Sequence, residues 1–189
     1  MSDPDSADPS LATRLPPLPV DAVTHVVTRA TRMLADGATR LDVLTYLARA
    51  AESVAGADST VSILVLDDEG LLRNGASPDL PDDYLAAIDG LKPDPGVGTC
   101  AAAAATGTIV VTPDFFADDK WAELRHLPLA LGYLGAWSFP IKSTDGRVLG
   151  TFGTYYRNSR SPTPDEQHAV ERLAASAAMA LAARTGMTA

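Results

Sequence analysis

The stretch 132–157, GYLGAWSFPIKSTDGRVLGTFGTYYR, limits the fold more than any other part of the chain. From Ala136 to Ile141 the large residues Trp137, Phe139 and Ile141 alternate with Ala136, Ser138 and Pro140, which is the period of a strand. A second β-prone run follows from Val148 to Tyr156. Between them Ser143-Thr144-Asp145-Gly146 is a turn cluster whose glycine accepts positive φ, so the two runs are expected to pair antiparallel as a hairpin. Pro140 has no N–H and is expected at a bulge, a strand end or an unpaired position. Gly150, Thr151, Gly153 and Thr154 thin one sheet face, for close helix packing or for a ligand; packing is the commoner reason for a strand glycine.

The rest of the chain alternates between helical and strand periods. Val20 to Asp36 places Val23, Val26, Val27, Ala30, Met33 and Leu34 at helical spacing before Gly37, and Leu41 to Ala55 does the same before Gly56. Thr60 to Leu66 and Leu71 to Gly75 read as a second hairpin around Asp67-Asp68-Glu69-Gly70. Short helices are expected from Pro81 to Ile88 and from Ala101 to Ala105, with a brief strand from Thr108 to Val111. A helix from Lys120 to Leu131 carries Pro128 in its interior. Thr163-Pro164-Asp165-Glu166 is a capping box with Pro at the first helical position, opening a helix through Leu173, Ala177 and Leu181. Hairpins in place of crossovers, flanked by long terminal helices, give an α+β fold with a mainly antiparallel sheet.

At 189 residues the chain suits one domain, with a leader over 1–19 expected to be disordered, an N-terminal helix over 20–37, the main domain over 38–184 and a tail over 185–189. A net charge of −9 without a basic stripe argues against a nucleic-acid partner. No apolar run approaches the roughly 20 residues of a membrane helix, and the leader lacks a signal-peptide pattern. With a single cysteine, Cys100, the expectation is a soluble, cytoplasmic protein with no membrane partner.

The residues Asp114, Trp121, Ala130, Gly132, Ala136-Trp137-Ser138-Phe139-Pro140-Ile141, Asp145-Gly146, Leu149-Gly150-Thr151-Phe152, Tyr155-Tyr156 and Arg160-Ser161-Pro162, in this order, resemble a GAF domain. The similarity covers about residues 38–184, and Gly96-Val97-Gly98-Thr99-Cys100 extends it. It is nearest the subset found ahead of histidine kinases and cyclic-dinucleotide synthases. The resemblance implies a central antiparallel sheet with the terminal helices on one face and a ligand pocket, under short helices and loops, on the other. It also implies pocket residues, which fall here on Thr99, Cys100, Asp114, Trp121, Trp137, Phe139, Thr154 and Tyr156.

Cys100 invites a catalytic reading, since a helix start after Gly-x-Gly can lower a thiol's pKa, but a free cysteine is more often a small buried hydrophobe. The chain also resembles the free methionine-R-sulfoxide reductases, which share the fold and need a resolving cysteine; here Cys100 stands alone. In phytochrome-type relatives a cysteine in the helix before the strand near Leu134 attaches a bilin; here that helix reads Trp121-Ala122-Glu123-Leu124-Arg125-His126, without one. His25, His126 and His168 lie on different predicted helices, which argues against a structural zinc motif, and His126 leaves a single axial haem ligand as an alternative to a rim histidine. Gly96-Val97-Gly98 lacks the context of a P-loop or dinucleotide fingerprint, and no Ser-His-Asp arrangement appears.

These residues name no cofactor and no metal site. The expectation is a non-catalytic sensory domain of signal transduction that binds a small molecule. A homodimer is expected through apolar faces on the terminal helices, at Val23, Val26, Ala30, Ala174, Ala177 and Leu181. No output segment follows Ala189 in this sequence, so a separate signalling protein is the expected recipient. The alternatives are a Cys100-dependent reductase and a pure dimerisation scaffold with a filled pocket.

Overall fold

The computed structural model describes residues 22–183; the leader expected over 1–19 and the tail over 185–189 lie outside the described residues. The elements follow in the order α1 (Ala22–Ala35), α2 (Arg40–Ala55), β1 (Ser59–Leu66), β2 (Leu72–Ala76), α3 (Asp82–Ile88), α4 (Thr99–Thr106), β3 (Val110–Thr112), α5 (His126–Ala130), β4 (Gly135–Lys142), β5 (Val148–Tyr156) and α6 (Pro164–Ala182). The sheet is antiparallel in the order β2-β1-β5-β4-β3, so the β4–β5 hairpin supplies two of its three inner strands. Pro140 sits on β4 beyond the end of β3, on the side where no strand pairs with it.

Both long-helix starts are fixed by reciprocal caps. Thr39 and Thr163 accept from the backbone three residues on, and Asp42 and Glu166 reach back to the cap N–H groups. Arg160 grips the Glu166 carboxylate with two nitrogens at 2.8 and 2.6 Å and donates to the Ala55 carbonyl, tying the start of α6 to the end of α2. Burial disfavours ionised Glu166, but the Arg160 and Thr163 bonds outweigh it and hold its carboxyl below the usual range.

Helices α2 and α6 cover one sheet face, and α1 packs on both of them. Val23, Val26, Ala30, Ala174 and Ala177 are buried within the chain and Leu181 is half-buried. The stripe on which a dimer was expected is therefore internal, and α1 turns Thr24, His25, Thr28, Arg29 and Arg32 outward. Among the described residues no helix is long and apolar enough to cross a membrane.

The segment 120–131 departs from the single helix expected. It forms a 3₁₀ turn at Asp119–Trp121 and then the separate α5. Pro128 cannot donate to the carbonyl of Leu124 and sits instead in the first turn of α5, and residues 122–125 before it form turns where the single helix was expected. The consequence is a folded strap over the second face of the sheet, which holds Trp121 inward.

Candidate functional site

The pleat of the hairpin decides which side chains can meet a ligand. Trp137 pairs with Thr154 and Ser138 with Gly153, so one face of this hairpin carries Trp137, Phe139, Phe152, Thr154 and Tyr156, and the other Ala136, Ser138, Thr151, Gly153 and Tyr155. The first set lies under α2 and α6, where Trp137, Phe152 and Tyr156 join the main core. Four of the expected pocket residues, Trp137, Phe139, Thr154 and Tyr156, are thus corrected to the helix-covered face. Trp137 donates its indole N–H to the Tyr156 hydroxyl at 2.6 Å, and the Arg160 guanidinium lies 3.8 Å over the Tyr156 ring. The indole N–H of that pair thus has its acceptor inside the core.

The other face carries α3, α4 and the 113–134 strap. Gly153 lets α4 approach: a Cβ there would stand 2.8 Å from Cys100 Sγ. Thr99 and Cys100, both expected pocket residues, are brought together with Ser138, which was not. The Ser138 hydroxyl donates to Thr99 Oγ1 at 2.9 Å and lies 3.1 Å from the Cys100 thiol. Burial pushes the thiol's pKa up, against a smaller opposing effect of the Ser138 bond.

A small cavity of about 20 Å³ lies between these layers, bounded by Leu64 and Tyr155 of the sheet, Tyr84 and Ile88 of α3, Val97, Gly98, Thr99 and Cys100 at the start of α4, and Trp121, Leu124 and Leu127 of the strap. Such a volume holds about one water molecule. Trp121 packs on Phe115 at 4.3 Å between ring centroids and edge-on to Tyr155 at 6.4 Å. Its indole is 4% exposed, and its Nε1 is buried with no hydrogen-bond partner. Burial raises the pKa of both Tyr84 and Tyr155, keeping these walls neutral.

The strap is fixed from below. Gly98 N–H donates to the Lys120 carbonyl at 2.7 Å, with Gly98 at a φ of 51° that favours glycine. Asp118 caps the 3₁₀ turn, accepts from Thr112 at 2.6 Å and pairs with Lys120 at 2.7 Å. Burial opposes its charge, and the Lys120 and Thr112 bonds prevail, lowering its pKa.

Asp114 does not line the cavity; its carboxylate accepts from Phe116 N at 2.8 Å and holds a loop turn. His126 is exposed and stands apart from these walls. Tyr84, Ser138 and Tyr155 went unnoticed as site residues. The signal for the last two was the parity of the hairpin, since Ser138 and Tyr155 share the side of Gly153. A larger opening of about 480 Å³ lies at the sheet edge between Ile109, Phe139, Lys142 and Ala174, Ala175 of α6. It is an open groove, and none of the described buried polar atoms without a partner belongs to its walls.

The family model for the GAF domain matches residues 37–182. The chain belongs to the GAF domain family. A relative from Methanosarcina acetivorans, named methyl sulfide methyltransferase-associated sensor, is 34% identical over 139 residues, which is 73% of this chain and 14% of that protein. This GAF chain thus spans about one seventh of that relative. Among solved structures, the GAF domain of a phosphoenolpyruvate-protein phosphotransferase from Coxiella burnetii superposes with a TM-score of 0.69 at 18% identity, covering 87% of this chain and 95% of that one. The reduced form of fRMsr of Staphylococcus aureus superposes with a TM-score of 0.64 at 15% identity, covering 91% and 100%. At such identities the likeness is one of fold.

Proposed function

We propose that this GAF domain is a sensory module of signal transduction that binds a small molecule in the α4-side cavity and carries out no chemistry of its own. One observation carries this reading: Trp121, a wall residue of that cavity, has a buried indole N–H without a partner. An unpaired buried donor costs about 1–3 kcal/mol, which an acceptor on a ligand would offset. The sensor name of the Methanosarcina relative supports the signalling part. A reductase reading draws no support from Cys100, which is buried and has a raised pKa.

The near-filled state of the cavity favours a second reading, a scaffold that binds nothing. Mass spectrometry of small molecules retained by the natively purified full chain separates the two. A sensor carries a molecule whose re-addition raises the melting temperature, by about 2.7 kcal/mol of stabilisation at a hundredfold excess over Kd. A scaffold retains nothing, and extracts do not stabilise it.

A further inference from the structure

The walls of the α4-side cavity specify more than its place. No wall residue is Asp, Glu, Lys, Arg or His, and the two tyrosines stay neutral. A charged molecule enclosed there would lose its hydration without gaining a counter-ion. The start of α4 offers only the partial positive charge of a helix end, which is weak beside that penalty. Ser138 is engaged by Thr99 and Cys100, and Tyr84 packs edge-on against Tyr155 at 5.9 Å between ring centroids. Of the described buried polar atoms without a partner, Trp121 Nε1 is the one whose residue lines this cavity, in a largely apolar surround. Leu124 and Leu127 close the cavity from half-buried positions on the strap, so turning them outward makes room.

Resting on the proposed sensory reading, we infer that the ligand is a small uncharged, largely apolar molecule with one hydrogen-bond acceptor, which the Trp121 N–H recognises while the strap leucines yield to its apolar body. The molecule supplies its own control, because the other indole, Trp137, already donates to Tyr156 on the opposite face.

Three one-ring probes test the inference on the full chain: acetophenone, its isostere α-methylstyrene, which lacks the oxygen, and benzoate. Indole signals are followed in ¹H–¹⁵N spectra and leucine methyls in ¹H–¹³C spectra, with Trp121→Phe assigning the two indoles. Acetophenone is expected to move the Trp121 signal downfield and leave that of Trp137 in place. It should bind about tenfold tighter than α-methylstyrene, with the ratio falling to about one in Trp121→Phe. Benzoate should shift nothing. Benzoate binding as tightly as acetophenone, or a preference that survives Trp121→Phe, overturns the assigned chemistry and leaves the pocket standing. No indole or methyl shift with any probe up to its solubility overturns the inference together with the pocket itself.

Discussion

Gly153→Ala measures how closely α4 is seated on the sheet. The new Cβ would stand 2.8 Å from Cys100 Sγ, 3.4 Å from Ser138 Oγ and 3.5 Å from the Ser62 carbonyl. Only the sulfur contact is far inside van der Waals distance, so α4 must withdraw by roughly 1 Å or Cys100 must leave its bond with Ser138. Overpacking of this kind costs about 1–3 kcal/mol, and the stiffer unfolded chain of alanine offsets about 0.4–1 of it. The expected net loss is about 1–2 kcal/mol. Cys100→Ala removes the opposing atom. Alone it costs about 1 kcal/mol through lost packing and the lost Ser138 contact. Combined with Gly153→Ala it should restore the fit, giving a double variant more stable than the sum of the two by about 1–2 kcal/mol. Urea unfolding followed by far-UV circular dichroism and tryptophan fluorescence, with m unchanged across the four proteins, reads the cycle. Additivity within about 0.5 kcal/mol would refute the idea that this glycine exists to admit the thiol.

Three further outcomes follow from the same geometry. Trp137→Phe should cost about 3 kcal/mol or more in urea unfolding, because it removes indole volume and leaves the buried Tyr156 hydroxyl without its donor, whereas Trp121→Phe, which deletes an unpaired N–H, should cost clearly less. Cys100 should react with a thiol reagent at pH 8 far more slowly in the native protein than in urea, since burial and the raised pKa both suppress thiolate. Glu166→Gln should destabilise at pH 7, and its deficit should shrink as pH falls from about 5, because a lowered native pKa contributes stability above the unfolded value and loses it as pH drops through the folded one; chemical denaturation at pH 7, 5 and 3.5 checks the sign.

Much of the architecture was legible because local signals agreed. The capping box at Thr163 and the Asp-Gly turn each fix an element without tertiary help. The face of the hairpin was not legible, for a physical reason. Layers cover both sides of the sheet, so β5 is buried almost throughout and shows no amphipathic alternation to mark a side. The aromatic side drew attention as a pocket wall, yet the larger residues fill the deeper space under α2 and α6, while Ser138 and Gly153 are small because α4 comes close. The strap was misread as one helix because the spacing of Trp121, Leu124 and Leu127 suits a helix; those three residues face one cavity through a turn instead.

An unpaired polar atom does not by itself mark a site, and this molecule supplies the contrast. Thr154 on the helix-covered face also buries a hydroxyl without a partner. That group rotates about its Cβ–O bond, can still shift toward neighbouring carbonyls, and is not a wall of the cavity. The indole N–H of Trp121 has one direction, set by a ring clamped between Phe115 and Tyr155, and no torsion of its own to relieve it. Trp121 also lines the small cavity on its face, which has room for about one water-sized group. A rigid donor beside open volume is a binding feature where a rotatable hydroxyl in close packing is a small defect of the core. The comparison predicts that Thr154→Val leaves probe binding unchanged and holds or raises stability, whereas Trp121→Phe abolishes acceptor preference with little loss of stability. Thermal unfolding and the probe titrations on both variants measure the two properties separately. A Thr154→Val protein that loses the acetophenone preference would show that the distinction drawn between the two faces is mistaken.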